Sequence, residues 1–275
     1  MRISEVYYPA SVAEILDLLR VNPDIQILAG GTEIVGGQAS RVLEFPGQVV
    51  SIAKVQELRK TTRTEQFLEL GCCTTLTGLS TLAPGMLPQP FPLVIDSIAN
   101  RAVRNLATIG GNLCSHVRFM DLWPFLSCMD AQVELRSPSG TRWASVSHLS
   151  GEDGSLQFPK ATILSRVRIP LFSYNFIFFR KFNHSLFPDA DTATFVCMAN
   201  VESNKIEDFR LAFAGTRAFR LKDREMAIAG KKTSSSPKEV RAVMEDYRKE
   251  FASLDWFDPR LFNSLLEETF GRLFK

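Results

Sequence analysis

The sequence predicts an α+β chain built as two units, with the boundary near residues 171–176. Three observations carry this. Short apolar strands and helical patterns are interspersed up to Pro170, three strand patterns then follow as one antiparallel meander, and three helical patterns close the chain. Strands followed by a run of helices are the pattern of an α+β unit, in which helices cover one side of an antiparallel sheet.

In chain order, Ser11 with Glu14 three residues on is a capping-box pattern, and Val12, Ile15, Leu16 and Leu19 line one face. A helix is therefore expected over about 11–20, stopped by Asn22-Pro23. "IQILA" (25–29) is a short strand running into Gly30-Gly31-Thr32, and "QVVSIA" (48–53) and "FLELGCC" (67–73) also read as strands. "LVIDSIAN" (93–100) and "DLWPFLSCM" (121–129) read as helices, and "AQVELRS" (131–137) as a strand closed by a Ser139-Gly140 turn. "ATILSRVRIP" (161–170) alternates as a strand until its proline. The meander comprises 176–182, 192–202 and 206–215, and the helices 221–229, 237–252 and 258–274. The last of these keeps Phe262, Leu265, Leu266, Thr269, Phe270 and Leu273 at helical spacing. The aromatic run "FSYNFIFF" (172–179) fits either a docking surface or a buried strand.

Composition excludes several functions. An apolar fraction of 45% with 23% charged residues is that of a globular protein with an ordinary core. A net charge of +2 gives no field that would draw nucleic acid or a membrane surface. The apolar runs fall far short of the roughly 20 residues that span a bilayer, and nothing resembles a signal peptide. Five cysteines without metal-ligand spacing point to a reduced, cytoplasmic chain and to no metal site.

Two Gly-Gly sites hold the main chemical interest, Gly30-Gly31-Thr32-Glu33 and Gly110-Gly111-Asn112. Glycine permits positive φ and close backbone approach, and successive N–H groups in such a turn make an anion-binding concavity. Each site alone reads equally as an ordinary strand-exit turn, and neither matches the G-x-G-x-x-G dinucleotide fingerprint. "AGKKTSSS" (229–236) fails as a phosphate loop, because Lys232 stands where Ser or Thr must follow the lysine. Cys114 and His116 lack a second pair to complete a metal site, His148 and His184 are isolated, and no nucleophile elbow is present. Asp121 fits either a helix N-cap or an acceptor for a ribose hydroxyl.

Together the stretches "LLRVNPDIQILAGGTEIV" and "RNLATIGGNLCSHVRFMDLWPFLSCMDAQVEL" resemble the FAD-binding medium subunit of the molybdenum hydroxylases, the xanthine and carbon monoxide dehydrogenase family. The resemblance continues through "ILSRVRIP", "FFRKF" and "FRLAFAGTRAFRLKDREMAIAGK" to the closing helix. It implies a two-subdomain FAD-binding domain of the molybdopterin dehydrogenase (PCMH-like) type over 1–172, divided at about 55/56, and a small C-terminal α+β domain over 173–275. It implies noncovalent FAD, with the pyrophosphate on a first loop of Leu28, Ala29, Gly30, Gly31, Thr32, Glu33 and Ile34. The second loop is Ala107, Thr108, Gly110, Gly111 and Asn112. Ser115 stands where a hydroxyl contacts the cofactor, Asp121 toward the ribose and adenine end, Leu164 at an apolar position near flavin and adenine, and Lys181 beside the isoalloxazine ring.

The chain departs from the family at His116-Val117-Arg118-Phe119, at His184-Ser185 and at Asp191-Thr192-Ala193. Implied partners are a molybdopterin-binding large subunit and a small subunit with 2Fe-2S clusters, with NAD(H) or another acceptor receiving electrons and no catalytic residue on this chain. A flavin-free scaffold subunit and a stand-alone NAD(P)H reductase are the alternatives.

Overall fold

The computed structural model describes residues 5–36, 47–115, 121–182, 192–253 and 257–274. Three sheets organise the chain. The first is parallel, in the order β1 (Glu5–Tyr7), β3 (Gln48–Ser51), β2 (Gln26–Leu28). The crossover between β1 and β2 is α1 (Val12–Val21). Ser11 Oγ accepts from the Glu14 N–H at 3.3 Å, and the Glu14 carboxylate accepts from the Ala10 N–H at 2.9 Å. The cap is thus displaced by one residue from the reciprocal box that the sequence suggests. Val12, Ile15 and Leu19 are the buried stripe of α1. A short helix, α2 (Thr32–Gly36), follows the first glycine pair.

The second sheet is antiparallel. Its order is β4 (Thr61–Arg63), β5 (Phe67–Gly71), β8 (Ile163–Pro170), β6 (Gln132–Ser137), β7 (Gly140–Ser145). Val167 and Ile169 point into the core, while Arg168 lies on the other face, bound to Glu69 at 2.7 Å and 3.9 Å from the Trp143 ring centroid. Between β5 and β6 run α3 (Leu76–Ser80), α4 (Phe91–Asp96), α5 (Arg101–Arg104), α6 (Ile109–Leu113) and α7 (Trp123–Cys128). The helix expected over 93–100 is α4, which starts earlier and ends at Asp96, and Asn100 instead caps the separate helix α5 by accepting from Val103 N–H.

The third sheet is the expected meander, β9 (Phe176–Phe182), β10 (Ala193–Glu202) and β11 (Lys205–Ala214), with β12 (Ala218–Arg220) added at its edge. The closing helices are α8 (Lys222–Ile228), α9 (Pro237–Ala252) and α10 (Pro259–Leu273). This sheet is covered on both faces. Phe195, Cys197, Phe209, Leu211 and Phe213 pack against α9 and α10 through Tyr247, Phe251, Phe262, Leu266 and Phe270. The alternate residues Val196, Met198, Ala212 and Ala214 join the core that contains Phe125 and Leu126 of α7. The aromatic run at 172–179 is divided likewise, with Phe176 and Phe178 on the helix side and Ile177 and Phe179 on the α7 side. No helix among the described residues is long and apolar enough to cross a membrane.

Candidate functional site

The two glycine loops meet. Gly30 leaves the end of β2 and lies directly against the chain that leads into α6: a Cβ on it would stand 1.9 Å from the Leu106 carbonyl oxygen and 3.2 Å from Ala107 N. Only glycine fits there. Gly31 turns the backbone with φ +69°, and its carbonyl accepts from Val35 N–H at 3.0 Å. Among the described residues no acceptor takes the N–H of Gly31, Thr32 or Ile34, the groups at the start of α2.

The second loop is closed upon itself. Ile109 N–H donates to the Thr74 carbonyl at 3.1 Å and Gly110 N–H to the Cys72 carbonyl at 2.9 Å. Gly111 N–H donates to Thr108 Oγ1 at 3.0 Å, and Asn112 N–H to the Thr108 carbonyl at 3.0 Å. The Ala107 carbonyl is used too, by Leu76 N–H at 2.9 Å. Gly110 is buried against Cys72, whose Cβ would be 2.6 Å from a Cβ added to it. Gly111 is exposed, and a Cβ there would meet only Thr108 Oγ1, at 3.0 Å. The expectation that both loops supply backbone donors therefore needs correction. The first loop offers them, and the second spends its own on β5 and on its cap.

The remaining candidates surround this junction. Leu28, Ala29 and Glu33 are half-buried along the first loop. Thr108 and Ser115 are buried, and Leu164, also buried, lies on β8 under α6. Burial pushes the Cys114 thiol up to about 12, and the Glu33 carboxylate, from the opposite loop, adds to that.

Asp121 is not the helix cap that its position suggests: α7 begins after Leu122, and the carboxylate is committed elsewhere. Its Oδ1 accepts from Lys181 Nζ at 2.7 Å and its Oδ2 from Asn112 Nδ2 at 3.3 Å, while Asn112 Oδ1 accepts from Leu122 N–H at 3.0 Å. Two candidates expected at opposite ends of a cofactor are thus ion-paired. The sequence reading missed Leu106, whose main chain seats Gly30, and Cys72, whose Cβ and main chain seat Gly110. They contribute main chain and, at Cys72, the Cβ that all residues but glycine share, and so carry no residue-type signal.

The 229–236 segment is a hairpin contact: Gly230, with φ +90°, donates its N–H to the Ile206 carbonyl at 2.7 Å. His148 borders an open cleft of about 730 Å³ between residues 147–152 and the start of α8, away from the glycine loops. His116 through Phe119, His184, Ser185 and Asp191 lie outside the described residues. Among the described residues no group of three or more His, Cys, Asp or Glu side chains can hold a metal ion.

Known proteins resemble this chain in sequence and in fold. Residues 2–172 match the family model described as the FAD binding domain in molybdopterin dehydrogenase. A xanthine dehydrogenase FAD-binding subunit from Escherichia coli is 28% identical over 210 residues, covering 74% of this chain and 71% of the relative. The glyceraldehyde dehydrogenase medium chain of Sulfolobus acidocaldarius is 24% identical over 228 residues, with 81% and 79% covered. Among solved structures, quinoline 2-oxidoreductase from Pseudomonas putida superposes with a TM-score of 0.77 at 20% identity, over 99% of this chain and 98% of that one. A carbon monoxide dehydrogenase from Hydrogenophaga pseudoflava superposes with a TM-score of 0.79 at 19% identity, over 98% and 95%. These two establish the fold, which is that of the PCMH-type FAD domain with its C-terminal α+β extension. With the family model spanning residues 2–172, this chain belongs to the family of FAD-binding domains of molybdopterin dehydrogenases.

Proposed function

We propose that this chain is the FAD-binding subunit of a xanthine dehydrogenase-like molybdenum hydroxylase and holds its cofactor along the seam where the glycine loops meet. The observation that carries the reading is that among the described residues no acceptor takes the N–H of Gly31, Thr32 or Ile34, groups set beside the exposed, Cβ-free Gly111. The N–H row gives a pyrophosphate its donors, since anions are favoured where successive amides and a helix start point outward. Gly111 lets the cofactor lie against the second loop without a side chain between them. Leu28, Ala29 and Glu33 flank the first loop; Ala107, Thr108, Asn112 and Ser115 flank the second, with Leu164 beneath. In this reading the cofactor lies between segments of about 1–55 and 56–172, and 173–275 is the C-terminal flavoprotein domain.

Bound FAD supplies redox chemistry, taking electrons from one partner and delivering them to another. This chain's residues bind it, orient it and set the charge around it. The Lys181 ammonium is met by Asp121 at 2.7 Å, so what it presents to a cofactor is an ion pair rather than a bare cation. In the complex a molybdopterin-binding subunit acts on the substrate and a 2Fe-2S subunit exchanges electrons with this one, with NAD⁺ or another acceptor at the far end. Titration of the purified chain with FAD, followed by flavin fluorescence, tests the site. Gly111→Val is expected to abolish binding while circular dichroism stays that of the wild type. Unchanged affinity would sink the cradle, and a chain that takes no FAD yet binds its iron–sulfur partner would be the scaffold subunit instead.

A further inference from the structure

Carboxylates at both ends of α7 reach across to the third sheet, and the two ends are built differently. Beyond the C-terminal end, Asp130 pairs with Arg210 of β11, with Arg220 of β12 at 3.0 Å and with Lys222 at 3.6 Å. Arg220 also donates to the Ser127 carbonyl and pairs with Glu225 at 2.8 Å, and Glu225 accepts from Leu211 N–H at 2.9 Å. That end is a network of three cations on one carboxylate, with Arg220 and Glu225 buried at its centre.

Before the N-terminal end, Asp121 takes one cation among the described residues, Lys181 of β9, and the two side chains are each 13% exposed. β9 is the edge strand of its sheet, with β10 as its neighbour. Among the described residues this ion pair and the packing of Ile177 and Phe179 tie it to the rest of the larger core. The other oxygen of Asp121 goes to Asn112, the residue after Gly111 in α6. One continuous chain of polar contacts therefore runs from the second glycine loop to the edge strand.

We propose that Asn112, Asp121 and Lys181 form a latch that couples occupancy of the second glycine loop to the docking of β9. A ligand seated on the loop fixes Asn112 and Asp121, and through them Lys181 and its strand. By linkage, a docked β9 in turn prepares the loop for its ligand. Asn112 and Asp121 act here as positioning residues. That the ligand is FAD rests on the function proposed above.

Hydrogen exchange on the full chain, with and without saturating FAD, tests the latch. FAD is expected to slow exchange over 176–182 as well as over both glycine loops. In Lys181→Gln and in Asp121→Asn the free protein should exchange β9 amides about tenfold faster, the effect of losing one hydrogen bond to a charged group. The transmitted protection of β9 should vanish while protection of the first loop remains. Exchange over β11, held at the Asp130 end, should match the wild type and report that the variants are folded. FAD affinity should fall in each variant and fall no further in the double variant, because both changes break one contact. The latch is overturned if FAD protects the loops but leaves 176–182 unchanged, or protects β9 equally in wild type and variants. If FAD protects nothing, the function above fails instead, and β9 rates in the free variants equal to wild type would overturn the latch as well.

Discussion

The two glycine pairs look interchangeable as sequence, and the fold uses them in opposite ways. In the first, Gly30 is required by the Leu106 carbonyl and Gly31 by its φ of +69°, and among the described residues no acceptor takes the N–H of Gly31, Thr32 or Ile34. In the second, Gly110 is required by Cys72, the amides of Ile109 through Asn112 are all taken, and Gly111 faces outward. A glycine pair thus reports where the backbone is crowded or twisted. Whether its N–H groups are available depends on which carbonyls and hydroxyls the rest of the chain brings near. One loop can donate to a ligand, and the other can offer it a smooth surface.

Variants at matched positions would break or sharpen this contrast. The largest effect belongs to Gly30→Ala, where the new methyl meets main chain at 1.9 Å. A loss of about 3 kcal/mol in urea unfolding is expected, at the upper end for overpacking, and a loss below that of Gly110→Ala would show that the loops are not seated on each other. Gly110→Ala, at 2.6 Å from the Cys72 Cβ, should cost about 2 kcal/mol in the same measurement. The two threonines should differ. Thr108→Ala removes the acceptor of Gly111 N–H and should cost about 1 kcal/mol, as lost helix caps do. Thr32→Ala should shift the midpoint by less than about 0.5 kcal/mol, since among the described residues no donor relies on its hydroxyl. Gly111→Ala has the smallest expected effect on stability and a clear one on FAD affinity; a stable variant with wild-type affinity would erase the functional half of the contrast.

Acid titration supplies a control that lies outside both loops. Burial pushes the Asp130 carboxyl up, but Arg220, Arg210 and Lys222 outweigh that and hold it below its ordinary value of 3.8. A carboxylate depressed on folding adds stability above its unfolded value, lost as the pH falls through the folded one. Asp130→Asn should therefore flatten the decline in stability below about pH 4, while FAD affinity at neutral pH stays that of the wild type.

Local chemistry made much of this legible. Ser11 and Glu14 marked α1, the spacing from Phe262 to Leu273 marked α10, and alternation up to Pro170 marked β8, because each signal sits within a few residues of what it specifies. The three-residue strands β1, β4 and β12 carry too few residues for any period to show. The site was legible as a set of residues and not as an arrangement. Asp121 and Lys181 both stood among the candidates, yet their pairing joins positions 60 apart and is written in no local pattern. The seat of Gly30 is a carbonyl oxygen, which every residue has, so Leu106 could not be singled out from its side chain.

The two-sided burial of the third sheet bears on how such a protein can be taken apart. A cut at residue 172 looks natural on paper, since one sheet ends there and the next begins. It would strip α7 from Val196, Met198, Ala212 and Ala214 and leave an apolar sheet face in water. Gene fragments that begin after the cut would express a sticky half-core, and those that end before it would expose the underside of α7. A recombined chain that keeps the third sheet must inherit α7 with it, so the unit of inheritance is larger than the unit suggested by the strand order.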